Sequence, residues 1–195
     1  MPSLNIVTFP HPVLRMKSKP IARVDKEFQL IVQEMFRLMY ESKGVGLAAN
    51  QVGLPIRLFV CNPSGKRDEG TEMVFINPVI TKQKGVEEAD EGCLSLPGVN
   101  ATVKRSKILW LNAYDHTGKE INSEYASFLA RIIQHETDHL EGVLFVDRIS
   151  EASANAIAYN LDTLQQDYSS RQRTGSLASD TSAIEEAARW EKQYC

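Results

Sequence analysis

Gln134-His135-Glu136-Thr137-Asp138-His139-Leu140 is the stretch on which the fold of this chain turns. Residues four apart on a helix lie one turn apart on one face, so the imidazoles of His135 and His139 can meet at a single metal ion. Glu136, next to the first of them, can stand beside the ion without binding it. There it can take a proton from a metal-bound water. The run predicts a helix and proposes metal-assisted hydrolysis. Working outward, residues 126–140 carry Phe128, Leu129, Ile132 and Ile133 and read as one largely apolar, buried helix.

Upstream, residues 57–62, 73–81, 86–96, 107–115 and 120–125 read as strands, punctuated by Gly and Pro. Asp115-His116-Thr117-Gly118 is a hairpin turn signal. Consecutive strands with short links favour antiparallel pairing over a doubly wound sheet. Asp25 reads as an N-cap. The apolar spacing of Phe28, Leu30, Ile31, Met35, Leu38 and Met39 predicts a helix from Lys26 that Gly44 stops. Residues 44–51 read as a tight loop of small residues. A third helix is expected over 150–168. A flexible Ser/Thr/Arg/Gln-rich link is expected over 169–182, and a last short helix over 183–193. The expected fold is α+β, with small antiparallel sheets wrapped around the central helix. Residues 1–168 form one catalytic domain and 169–195 a C-terminal appendage.

A chain of 195 residues, 43% hydrophobic and 24% charged, suits one globular domain with a proper core. A formal charge of -3 offers no basic footprint for nucleic acid or anionic membrane. No apolar run is long enough to cross a bilayer, and Met1-Pro2-Ser3-Leu4-Asn5 lacks the pattern of a secretory signal. The three cysteines, Cys61, Cys93 and Cys195, are odd in number and widely spaced. They fit a reducing compartment, and a cytoplasmic location is expected.

A hydrolytic metal site needs a third protein ligand and an open position. A metzincin continuation would put a histidine where Phe145 stands, although Gly142 is in place. A thermolysin-like site would recruit a later glutamate, Glu151, Glu185 or Glu186, but none carries a supporting motif. The better candidate is Cys93 in Glu91-Gly92-Cys93-Leu94-Ser95, at the end of a predicted strand. Cys61 reads as a small buried hydrophobe. A cysteine-protease pairing of Cys93 with His135 leaves His139 and Glu136 without roles. A non-catalytic module built on a structural metal would call for four protein ligands.

Three blocks therefore stand in order: G-V-G-L-A-A-N-Q at 44–51, E-G-C-L-S at 91–95 and Q-H-E-T-D-H-L at 134–140. Together they resemble the three signature motifs of the peptide deformylases, and the similarity runs from about Leu14 to Arg148. The resemblance implies hydrolytic removal of the formyl group from the N-terminal formyl-methionine of nascent chains at the ribosome, releasing formate. It implies that Cys93, His135 and His139 hold one divalent ion, naturally Fe(II), with nickel, cobalt or zinc able to replace it. Glu136 would be the general acid/base acting on a metal-bound water. The Gln51 amide and the Leu94 N–H would stabilise the oxyanion. The backbone of Val45, Gly46 and Gly92 would pair with the formyl-methionyl peptide like an added strand.

By the same resemblance Val45, Ala89, Phe128, Arg131 and Ile132 would form the methionine slot, and Glu91 would pair with Arg105 to orient the site. Arg131 departs from the apolar residue often found there; its stem is expected to line the slot while its head reaches water. Asn100 stands where many members carry arginine. No membrane or direct nucleic-acid partner is implied, and the appendage lies outside the resemblance. The alternative, resting on H-E-x-x-H alone, is a zinc endopeptidase.

Overall fold

The computed structural model describes residues 4–195. The Asp25 carboxylate accepts the Phe28 N–H at 2.9 Å and starts α1 (Lys26–Glu41). Its Phe28, Ile31, Met35 and Met39 are buried at helical spacing. The helix ends before Gly44 because Lys43 already takes a left-handed conformation, φ 58°.

The loop expected over 44–51 is instead β1 (Gly46–Ala48) followed by a 3-10 turn, Ala49–Val52. Its small residues are buried, which reading them as turn formers did not anticipate. Then follow β2 (Leu58–Cys61), β3 (Met73–Lys84), β4 (Glu87–Cys93), β5 (Leu96–Arg105), β6 (Ile108–Tyr114) and β7 (Glu120–Ala126). They form a five-stranded sheet in the order β1-β2-β3-β6-β7 and a separate hairpin, β4-β5, all antiparallel. The single strand expected over 86–96 thus breaks at Leu94-Ser95 and returns as β5. Pro97-Gly98 had read as punctuation, yet both lie inside β5, whose Val99, Val103 and Arg105 alternate inward.

α2 (Ser127–Leu140) lies between the two sheets. Ala130, Ile133 and Leu140 pack with Phe59, Phe75, Leu109 and Leu111 of the larger sheet. Arg131, Gln134, His135 and Asp138 all make contacts toward the β4-β5 side. Their spacing of i, i+3, i+4 and i+7 puts them on one stripe.

α3 (Glu151–Arg173) starts at a Ser150 cap and runs past the expected end at 168. Arg and Gln are good helix formers, so a solvated helix needs no apolar pattern there. Ser179 caps α4 (Asp180–Tyr194), which begins earlier than expected. The link is thus confined to residues 174–179. Tyr194 is fully buried and meets Phe28 edge to face at 5.8 Å, so the last helix is fastened to the α1 core. No helix among the described residues is long and apolar enough to cross a membrane.

Candidate active site

The His135 and His139 rings lie 5.0 Å apart, as one helical turn requires. Cys93 reaches them from the end of β4, its Sγ 3.2 Å from His139 Nε2. One donor atom from each of Cys93, His135 and His139 falls within 4.8 Å of the others, the one such cluster among the described residues. The predicted trio therefore converges, although it comes from two elements that share no strand pairing. Phe145 is buried and stacks near His135 at 6.4 Å, without a donor. Glu151, Glu185 and Glu186 are exposed on α3 and α4, outside the cluster, which removes the thermolysin-like arrangement.

These residues fit a divalent ion. Glu91 Oε2 lies 3.0 Å from His135 Nδ1, which leaves Nε2 free to ligate. Burial would lower the His135 pKa, but contacts with Cys93 and Glu91 outweigh it and raise it to about 10. The groups that favour a proton there favour any cation. Burial, reinforced by the neighbouring His135, holds the His139 pKa well below 6.5, so its ring is a neutral ligand. Sulfur and imidazole donors suit several transition metals. Three protein ligands, rather than four, match the pattern of a catalytic site.

Glu136 is 4% exposed, and its Oε2 finds no partner among the described residues. Burial raises its pKa to about 7, where a carboxylate can both take and give a proton. Gly46 makes room for it: a side-chain carbon there would come within 2.4 Å of Glu136 Oε1. Gln51 is buried in the 3-10 turn. Its Oε1 accepts the Ala48 N–H at 2.9 Å, which fixes the amide and turns Nε2 toward Cys93 Sγ and Ser95 Oγ, each 3.3 Å away. A cavity of about 620 Å³ opens beside these groups, lined by Val45, Gly46, Gly92, Leu94, Phe128 and Ile132 among others.

A family model described as polypeptide deformylase matches residues 3–155. The chain belongs to the peptide deformylase family. A curated peptide deformylase from Rhodopirellula baltica is 50% identical over 191 residues, covering 98% of this chain and 95% of the relative. The chloroplastic/mitochondrial peptide deformylase 1B of Arabidopsis thaliana is 43% identical over 173 residues. That match covers 88% of this chain but 63% of the plant protein, less than two thirds of its length. A crystal structure of a plant peptide deformylase superposes with a TM-score of 0.85 at 42% identity, covering 90% of this chain and 95% of that one. A Plasmodium falciparum peptide deformylase gives 0.83 at 38% identity, with 85% and 98% covered.

Within this deformylase fold the Glu91–Arg105 pair is buried and bidentate, both contacts at 2.9 Å. Burial opposes the Glu91 charge, yet hydrogen bonds from His135 and Arg105 hold its pKa well below the usual carboxylate range. Two slot expectations change. Ala89 lies outside the cavity lining. Arg131 lines the cavity but does not send its head to water: the residue is 7% exposed and its guanidinium bonds Glu91 and two strand carbonyls. The reason is electrostatic, since a buried carboxylate lies within its reach.

Sequence reading missed Gln134, Asp138 and Ser95. The Gln134 amide bonds both the N–H and the C=O of Ser106 at 2.9 Å. Asp138 takes Arg105 and Arg148. A signal existed: polar residues at i, i+3, i+4 and i+7 on an otherwise apolar helix demand partners. Ser95 carried no comparable pattern.

Proposed function

We propose that this chain is a metal-dependent amide hydrolase that removes the N-formyl group from the formyl-methionine of nascent polypeptides, releasing formate and a free amine. The observation that carries the proposal is the convergence of Cys93 Sγ and the two histidine nitrogens within 4.8 Å beside a cavity that also meets Glu136 and Gln51. A divalent ion held there supplies Lewis-acid activation of water and of the formyl carbonyl.

The side chains supply the rest. Gln51 Nε2, held by the Ala48 anchor, donates to the oxygen on which charge develops. We assign the Leu94 N–H the same task, since Leu94 follows Cys93 directly and lines the cavity. Glu136, buried and poised near neutrality, takes the proton of the attacking water and returns it to the departing nitrogen. β1 is an edge strand of its sheet and β4 belongs to a two-stranded hairpin; both border the cavity. A substrate backbone laid between them meets Val45, Gly46 and Gly92 as an added strand would. Phe128 and Ile132 give the methionine side chain an apolar wall.

We take Fe(II) as the natural ion, with nickel, cobalt or zinc as substitutes, on family resemblance. We take nascent chains at the ribosome as substrate, the cytoplasm as location, and residues 1–168 as the catalytic unit. Formyl-Met-Ala-Ser offered to anaerobically purified, metal-loaded protein should yield formate stoichiometrically with free amine. A folded, fully loaded sample that releases none refutes the proposal, and cleavage of internally blocked peptides instead would establish the endopeptidase.

A further inference from the structure

Cys93 sits on the β4-β5 hairpin and the two histidines on α2, and the hairpin pairs with no strand of the larger sheet. The geometry of the metal cluster therefore depends on side-chain ties between helix and hairpin. Arg131 makes a distinctive one. Its Nη1 donates to Glu91 Oε1 at 2.7 Å and to the Val103 carbonyl at 3.0 Å, and its Nη2 donates to the Glu87 carbonyl at 2.9 Å. One guanidinium thus grips both strands of the hairpin and the carboxylate between them. A fork of fixed shape holds three acceptors in a way an ammonium cannot.

The grip continues to the cluster. Glu91 Oε1 is shared by Arg131 and Arg105, while Oε2 faces His135 Nδ1 at 3.0 Å. Arg105 is divided, since it also pairs with Asp138, which in turn takes Arg148. The ion pair of Arg131 among the described residues is with Glu91 alone. Arg131 and His135 stand one helical turn apart, so arginine, carboxylate and imidazole form a line along α2.

We propose that Arg131 is a positioning residue for the metal: it clamps the cysteine-bearing hairpin to the histidine-bearing helix and fixes the Glu91 carboxylate that aims His135. This rests on the assignment of Cys93, His135 and His139 as ligands, and it gives the arginine a task the methionine slot does not require. Its guanidinium acts on the cluster through Glu91 and the hairpin carbonyls.

The test compares full-length wild type, Arg131→Met and Arg131→Lys, each loaded with Co(II). Cobalt affinity is measured by chelator competition, the cobalt–thiolate and d–d bands by visible spectroscopy, and kcat and KM on formyl-Met-Ala-Ser. Loss of a partner that orients a ligand costs about 10–100-fold in metal affinity. Because Arg105 still holds Glu91, Arg131→Met should sit at the lower end, about tenfold, with shifted bands and a fall in kcat rather than a rise in KM. Arg131→Lys should recover part of the affinity. A folded Arg131→Met with wild-type cobalt affinity and spectrum overturns the proposal, even if its Tm falls. If Arg131→Met does not fold, wild-type affinity and spectrum in Arg131→Lys overturn it equally. Wild type that neither binds cobalt nor releases formate refutes the site assignment itself, a distinct outcome.

Discussion

Truncating Gln51 to alanine separates a structural task from a chemical one. In the structure Oε1 accepts the Ala48 N–H at 2.9 Å, and Nε2 stands 3.3 Å from both Cys93 Sγ and Ser95 Oγ. Both Nε2 contacts are long, as donors awaiting a developing charge often are. Removing the side chain leaves the buried Ala48 N–H without its acceptor. The stability cost is therefore that of a buried donor left unpaired, about 1–3 kcal/mol. For a chain of this size that lowers Tm by about 2–12 °C. The catalytic cost is larger, since a donor aimed at an oxyanion is worth about 2.7–4 kcal/mol, or 10²–10³ in kcat. Steady-state kinetics on formyl-Met-Ala-Ser, with metal content and Tm measured on the same sample, should show the large kcat loss, little change in KM and full metal occupancy. A kcat within about fivefold of wild type, at full occupancy, would remove Gln51 from the oxyanion site. A loss explained by missing metal would give it a role in holding Cys93 instead.

Glu136→Ala should keep the metal and lose about 10²–10⁴ in kcat, as expected for a general acid/base; residual turnover near wild type would reassign the proton transfer. Burial lowers the His11 pKa from 6.5 against the opposing charge of Asp180. Below pH 6.5 the unfolded chain takes up that proton before the folded chain does, so this stability is intact above 6.5 and is lost as pH falls through the lowered value. Urea unfolding from pH 7.5 to 5 should show a shallower decline in His11→Gln, and parallel curves would contradict the assignment. Tyr194→Ala should cost roughly 3 kcal/mol, as for a buried aromatic, and lower Tm by about 6–12 °C. An unchanged Tm would mean that α4 detaches without loosening the α1 core.

Much of the fold was legible because its signals are local. Asp25 with the apolar stripe of α1, the strand punctuation and the helix ending at Leu140 need only short-range chemistry. The β5 strand was not, because Pro97-Gly98 imitates a break and the true turn at Leu94-Ser95 contains neither residue. The buried β1 strand was missed for a related reason: small residues serve equally as turn formers and as close-packed backbone. The polar residues 169–173 hid the last turn of α3, which has no buried side chain to announce it.

The sequence by itself determined the facing pair His135 and His139 with Glu136 beside them, because helical periodicity converts spacing directly into direction. It nominated Cys93 but could not deliver it: the sulfur and His139 are 46 positions apart and meet at 3.2 Å only because the hairpin packs on α2. The head of Arg131 was decided by tertiary structure alone. Its alternatives were water and a carboxylate on another element, and only the assembled fold brings Glu91 within 2.7 Å of it.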